Sequence, residues 1–510
     1  MFDLFIGFDK PSNLWLFLLL FVTNTLWIFR SLKRKSQFGL TPFVIINVLL
    51  FICWGLLVGI DTDESEHLHC AWMVARGLVP FRDFWQHHSP LLWIILAPFF
   101  KLLKPTVFIF ELSRIFSGIL FLVNSFLGWQ IAKSVWREKA RLPVYLLILF
   151  SSSILGEFFW LRPDLFMEFF LLVAIYFTLE LTNEKRFPAF FAGISFALAA
   201  SFIFKQYLLF LLPIIVIYIG KNKFSVVKLL MYLAGLVIGI TPLIFYLARK
   251  EILSKFIFWV FKFNQERIVV SVIFPIAIGF MGTWGAYALL KRYFNLKDLK
   301  PLILSIAFCL STLSSLTATE NPSGGYYLSF WYFLCAISGS GCNIMEMVKK
   351  TSSLIKRSIA LGLFFSLLLM PNIMYAKGHR KTYLSEDKRV ISKLIKYCAG
   401  DRCLVLLPLH PVFSFDATRL YSDWQYYFVD SYPSVRKDAK NKNIVRSIIN
   451  ERPAVVLYSY QKKYLLLDLF LKGLISKEDY KILNSLFNES YTTRCIGGVR
   501  YYIRNDKLQK

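Results

Sequence analysis

Long apolar runs separated by short polar segments occupy most of the chain between residues 13 and 376. A helix that crosses a bilayer needs about 20 predominantly apolar residues, and about twelve segments meet or approach this length. We predict spans at 13–30, 41–60, 106–132, 143–160, 165–182, 188–204, 206–220, 224–248, 270–290, 301–318, 327–347 and 357–376. The pattern therefore predicts an all-α polytopic membrane domain.

Two other apolar stretches do not fit a full crossing. Segment 90–103 is predicted to be re-entrant or interfacial, because a crossing there would reverse the side of every later loop. Segment 255–263 mixes lysines with aromatic residues, the composition of a helix that lies at the lipid headgroups. We expect both to lie on the outer side of the membrane.

Every second loop between the predicted spans is basic, and cytoplasmic loops are the ones enriched in Lys and Arg. This alternation predicts that the other loops and both termini are extracytoplasmic. It also makes residues 1–40 an additional, uncleaved N-terminal helix with a cytoplasmic loop, and 41–376 the main transmembrane domain. The basic loops lie at 30–35, 133–141, 185–186, 221–223, 291–300 and 349–357.

The pattern changes after Pro371, where charged residues become frequent and short strand-like and helix-like segments alternate. Residues 377–510 are therefore predicted to form a small soluble extracytoplasmic α/β domain, either a rigid cover or a support for an acceptor. We predict helices near 386–397, 434–450, 461–472 and 477–487, and strands at 403–407, 454–458 and 499–504.

Composition agrees with a membrane protein. Hydrophobic residues make up 56% of the 510 residues, above the usual 45–50% or so of soluble proteins, and the mean hydropathy is +0.53. The net charge of +27 could suggest a nucleic-acid partner. Many of the basic residues punctuate apolar runs, however, so membrane topology explains them better and no nucleic acid is expected.

The predicted outer loops concentrate polar and ionisable residues at one face. Residues 61–69 contain four carboxylates and two imidazoles, either as a solvated acidic loop or as a functional site. A histidine pair, His87 and His88, lies in segment 84–90. It could bind a metal, although hydrogen bonding or anion contact is the preferred interpretation.

Three more outer segments contribute candidates: 162–164 with an Arg/Asp pair, Lys205 with Gln206, and 319–327. Each has a plain structural alternative, respectively a salt bridge, a snorkelling lysine and an aromatic turn. Together they place carboxylates that can accept a proton beside cations that can hold phosphate. This combination suits transfer of a group from a membrane-held phosphate ester.

The acidic pair Asp63-Glu64, followed after about twenty residues by segment 84–92, resembles the first outer loop of the GT-C membrane glycosyltransferases. These include protein O-mannosyltransferases and bacterial aminoarabinose transferases. The resemblance continues through 162–164, Lys205-Gln206, 261–264 and the Tyr326-Tyr327 pair, and so covers roughly residues 41–376.

The resemblance implies that Asp63 is the catalytic base, that Glu64 organises the acceptor or the site, and that Asp164 is the second acidic position. The family pattern His-Lys-Pro-Pro reads His-His-Ser-Pro at 87–90, so His88 replaces a phosphate-contacting lysine. The residues implied in substrate binding are His87, His88, Arg162, Lys205, Gln206, Tyr326 and Tyr327, of which Arg162, Lys205 or Tyr326 could compensate for the missing lysine.

The expected function is glycosyl transfer, hexosyl or pentosyl, in a bacterial inner or plasma membrane. A single sugar would move from a polyprenyl-phosphate donor to a glycan, lipid or protein acceptor on the extracytoplasmic face. No cofactor is certain, and a divalent metal remains open. The alternatives are a lipid-linked glycan polymerase or ligase, and a flippase. A flippase is disfavoured because its charges should lie inside the spans, near the bilayer midplane.

Overall fold

A computed structural model provides the tertiary structure. It describes residues 11–33, 41–57, 59–60, 62–102, 108–150, 159–182, 185–220, 225–263, 276–317, 329–341, 353–378, 389–390, 392–394, 396–397, 403–404, 444–460, 463–471, 473–496 and 499–508. Predictions for residues outside these ranges, including the 319–327 segment with Tyr326 and Tyr327, lie outside the described residues.

Helices account for nearly all of the N-terminal three quarters of the described chain. They are α1 (Pro11–Lys33), α2 (Thr41–Leu57), α3 (Thr62–Ala75), α4 (Leu91–Leu102), α5 (Phe108–Trp136), α6 (Leu142–Phe150), α7 (Pro163–Glu180), α8 (Phe187–Phe202), α9 (Leu211–Ile219), α10 (Val226–Arg249), α11 (Leu253–Phe256), α12 (Ile276–Leu296), α13 (Leu299–Thr317), α14 (Ser329–Gly339) and α15 (Leu354–Gly378). A π-helical turn, Ile257–Lys262, continues α11.

Each predicted span overlaps at least one of these helices. Where the structure describes both ends of a helix, each end lies within a few residues of the end predicted for that span. Within the described residues, Ile109–Lys139 and Val226–Arg249 are long and apolar enough to cross a membrane. Shorter apolar helices in that part of the chain include Leu91–Leu102 and Phe187–Phe202. The number of spans therefore stays a prediction.

Outward-facing apolar side chains indicate which surfaces avoid water. On α10, Leu230, Val237 and Phe245 are each more than half exposed, while Tyr232 and Leu247 on the other face are fully buried. A soluble monomer rarely exposes an apolar surface of this extent, whereas lipid tails solvate it without cost. The α10 surface thus has the character of a lipid-facing helix.

Small residues let α8 and α10 approach closely, as is common between membrane helices. A Cβ atom added to Gly193 of α8 would lie 2.2 Å from the carbonyl oxygen of Tyr232, and one added to Gly235 of α10 would lie 2.1 Å from that of Phe190. No side chain fits at either position. This contact fixes α8, whose C-terminal end leads into Lys205 and Gln206.

The C-terminal residues form a five-stranded mixed sheet. Its order is β1-β2-β5-β4, with β3 paired to β2 on one side; β1 and β2 are parallel, and the other pairs are antiparallel. The strands are β1 (Cys403–Leu404), β2 (Val455–Tyr460), β3 (Lys463–Tyr464), β4 (Tyr491–Ile496) and β5 (Val499–Arg504). The helices among them are α16 (Ile444–Glu451), α17 (Leu465–Leu471) and α18 (Lys477–Ser490).

The sequence predicted part of this arrangement and missed part. Strands near 454–458 and 499–504 occur as β2 and β5, but the predicted helix at 461–472 is wrong at its start, where β3 pairs with β2 before α17 begins. Strand β4 was missed because its sequence, YTTRCI, has three consecutive polar residues and lacks strict alternation. A capping box between Ser476 and Asp479 starts α18.

The sheet is not separate from the helical part. Val455 of β2 and Ile503 of β5 share an apolar cluster with Leu68 and Trp72 of α3. A second cluster joins Val456 of β2 to the segment that follows α3. The sheet therefore packs on the segment that holds the predicted acidic motif.

Candidate active site

The acidic motif lies on a helix. The sequence predicted an outer loop between two spans from residue 61, and within this segment the chain is helical from Thr62, where α3 begins. No Gly or Pro interrupts 62–75, and the acidic residues of the first turn favour the positive end of the helix dipole. The helix is buried on all sides along most of its length, since every residue from Glu64 to Met73 is buried.

Asp63 forms an ion pair with Arg162. Its Oδ2 lies 2.8 Å from Arg162 Nη2, and the Asp63 side chain is 28% exposed while that of Arg162 is 7% exposed. Arg162 is the N-cap residue of α7, and its guanidinium lies 5.1 Å from the ring centroid of Trp160. Asp63 is thus a fixed carboxylate that substrate can still reach.

A second ion pair, between Asp164 and Lys205, lies two residues after Arg162 in the sequence. Asp164, in the first turn of α7, accepts a 2.5 Å hydrogen bond from Lys205 Nζ, and both side chains are 10% exposed. The sequence raised the possibility that Arg162 and Asp164 pair with each other. The structure instead joins Arg162 to Asp63 and Asp164 to Lys205, so that α7 links α3 to the end of α8.

Glu64 is anchored inside the protein by Arg114 of α5. Arg114 Nε and Nη2 donate to the two Glu64 carboxylate oxygens at 3.0 and 2.8 Å, and both side chains are almost fully buried. Arg114 also donates to the carbonyls of Gly55 and Gly59. Sequence reasoning missed Arg114, although a charged residue inside the predicted span 106–132 was a usable signal.

His67 is a buried, neutral hydrogen-bond acceptor. Trp93 Nε1 donates to His67 Nδ1 at 3.2 Å, so the neutral ring has its proton on Nε2. Burial lowers the pKa of His67 well below its usual value, and the nearby His88, Arg162 and Lys205 lower it further. Burial also lowers the pKa of His69 to about 3. Both rings are therefore neutral at pH 7.

The histidine pair comes together with a third α3 residue, Glu66. The ring centroids of His87 and His88 are 4.0 Å apart, and Gln86 links this pair to Glu66. The Gln86 amide donates to Glu66 and accepts from His87 N at 2.9 Å. One potential ligand atom from each of Glu66, His87 and His88 lies within 4.8 Å of the other two. Sequence reasoning did not predict a role for Glu66 or Gln86.

Gln206 lies beside Lys205, but α13 holds its amide. Gln206 Nε2 donates to Ser315 Oγ at 3.2 Å, and its Oε1 accepts from Ser311 Oγ at 2.9 Å. Lys205 and Gln206 also line a small, open cleft with Phe204 and other apolar residues. The cleft places the Lys205–Asp164 pair next to an apolar surface.

The architecture resembles that of the GT-C membrane glycosyltransferases, as the outer motifs predicted. The solved structure to which the chain is similar is that of ArnT from Cupriavidus metallidurans bound to undecaprenyl phosphate. It aligns with a TM-score of 0.54 and 11% sequence identity over 91% of this chain and 97% of that one. No protein-family model and no curated protein matches the sequence. At this identity the likeness establishes the shared fold.

Proposed function

We propose that the protein is a glycosyltransferase that moves a single sugar from a polyprenyl-phosphate donor to a glycan, lipid or protein acceptor. The observation that supports this most directly is the Asp63–Arg162 ion pair, which fixes a partly exposed carboxylate in the first turn of α3. The fold it shares with an undecaprenyl-phosphate-binding structure adds support for the donor class.

The residues around Asp63 fit the charge changes of this reaction. The Asp63 carboxylate accepts the proton of the acceptor group while the acceptor atom bonds to the anomeric carbon. The bond from that carbon to the phosphate oxygen breaks, and its electron pair stays on the phosphate. Arg162 and Lys205, each in contact with a carboxylate, supply hydrogen bonds and positive charge where that negative charge develops.

The proposed reaction is tested with membranes that contain the full-length protein. Polyprenyl monophosphates with a radiolabelled hexose or pentose should transfer label to an acceptor in those membranes, whereas membranes without the protein should not. Transfer that requires a preassembled lipid-linked oligosaccharide would identify a polymerase or ligase. Movement of intact labelled lipid across the bilayer, with no new glycosidic bond, would identify a flippase.

We also propose that the site faces the extracytoplasmic side of the inner membrane, because the basic loops alternate with the site-bearing segments. Ser65 is buried, so exposed positions 82 and 139 serve better for labelling. In a cysteine-free background, an impermeant thiol reagent added to intact spheroplasts should label Arg82→Cys but label Lys139→Cys only after lysis. The opposite pattern would contradict the orientation.

A further inference from the structure

Glu66, His87 and His88 bring three potential metal ligands together. Two imidazoles and one carboxylate are ligands that Zn²⁺ accepts, and three protein ligands leave a coordination position open. We propose that these residues bind a divalent metal ion such as Zn²⁺, whose open position takes a phosphate oxygen of the lipid-linked donor. The metal site stands on its own residues, whereas its role toward phosphate rests on the proposed function.

The surroundings of the three side chains favour this site. Glu66 and His87 are buried and His88 is half-buried, so a bound ion would be shielded from bulk water while one side stays accessible. Gln86 bonds to the Glu66 carboxylate and to the His87 backbone. Such neighbours orient metal ligands and tune their affinity. The Trp85 ring, which stacks on His87 with centroids 5.2 Å apart, further limits movement of that imidazole.

The spacing of the ligand atoms requires a small adjustment. The three atoms lie within 4.8 Å of one another, whereas ligands on tetrahedral zinc, with bonds of about 2.0–2.1 Å, lie about 3.3 Å apart. We expect the half-buried His88 to make this adjustment, since Glu66 and His87 are buried. The hydrogen bonds of Gln86 to Glu66 and to the His87 backbone can stay in place while the His88 ring moves.

Local charge explains what a metal adds. The GT-C pattern has a lysine at the position of His88, and a metal bound to this imidazole would bring positive charge to the same place. The Arg162–Asp63 and Lys205–Asp164 pairs are each neutral overall. A phosphate that leaves with the electron pair of the broken carbon–oxygen bond needs compensation by positive charge. A divalent ion on Glu66, His87 and His88 would supply it as a Lewis acid, in the region where His88, Arg162 and Lys205 all act electrostatically on His67.

Zinc binding tests the site without any assay of activity. The purified full-length protein is stripped with chelator and dialysed against Zn²⁺, and bound metal is counted by mass spectrometry. We expect one ion per chain for the wild type and for the control His69→Gln, which changes a buried histidine of the same helix. Glu66→Gln and His87→Asn should weaken binding by at least about 10-fold. Equal binding by all four proteins, each monodisperse, would overturn the site.

His88→Lys tests the proposed role of the metal. This variant should bind Zn²⁺ at least about 10-fold more weakly, yet it should transfer sugar at a rate that chelator does not change. Wild-type transfer should fall at least about 10-fold after stripping and return with Zn²⁺. A stripped wild type that transfers at full rate would refute the role of the metal and leave the proposed function intact. Zinc binding through the three ligands without sugar transfer under any metal condition would refute the proposed function and leave the site intact.

Discussion

Replacing Asp63 by Asn should reduce sugar transfer by about 10²–10⁴-fold, the contribution that a general base typically makes. The amide keeps the shape of the side chain but cannot accept the acceptor's proton at neutral pH. It also ends the charge interaction with Arg162, whose Nη2 lies 2.8 Å from the Asp63 carboxylate. The measurement is the initial rate at saturating lipid-linked donor, normalised to the amount of inserted protein.

Asp83 provides a matched control for this substitution. Its side chain has the same 28% exposure as Asp63, and it too pairs with an arginine, Arg82. Asp83 Oδ2 also accepts a hydrogen bond from the backbone of Val79, which an Asn side chain can still accept. Asp83→Asn should therefore keep close to the wild-type rate. Equal rates for the two variants and the wild type would show that Asp63 has only a structural role.

Replacing Glu64 by Gln should lower the free energy of unfolding by about 3–5 kcal/mol, the usual cost of breaking a buried ion pair by removing one charge. The change leaves the guanidinium of Arg114 buried beside an uncharged amide. The side chains are 3% exposed for Arg114 and 0% exposed for Glu64, so water cannot replace the lost charge. Thermal unfolding in detergent, followed by an intrinsic fluorescence or aggregation signal, measures the loss.

A double substitution and a surface pair serve as controls for the Glu64 prediction. Glu64→Gln with Arg114→Met removes both charges and should recover part of the lost stability. Arg137 pairs with Asp298 while its own side chain is 64% exposed, so Arg137→Gln should change stability by about 1 kcal/mol or less. Similar losses for Glu64→Gln and Arg137→Gln would show that the buried pair contributes no special stability.

The neighbouring carboxylates Asp63 and Glu64 have different partners because they lie on a helix. Successive side chains of an α-helix point about 100° apart. Glu64 therefore points to α5 and Arg114, while Asp63 points to the end of α7 and Arg162. The resemblance implied different roles for the two residues, but the sequence did not show their partners. The helical geometry of α3 pairs Glu64 with a buried arginine and leaves Asp63 partly exposed.

The sequence by itself determined the positions of the apolar helices, because apolar run length and turn residues act locally along the chain. It also determined the side of the membrane that we predict for each loop, since loop charge is a property of composition. The Asp63-Glu64 motif and the 162–164 and Lys205-Gln206 segments together suggested the GT-C fold. The shared architecture with ArnT supports that suggestion over 91% of the chain.

Only the tertiary structure decided which charged groups meet. Arg114 and Glu64 are 50 residues apart and Lys205 and Asp164 are 41 apart, and no local pattern specifies such partners. Helix packing brings them together, and the close α8–α10 contact at Gly193 fixes where α8 ends. Long-range packing also places Glu66 beside the histidine pair. Partner choice depends on long-range packing, because a buried charge is stable only where the fold supplies its counterpart.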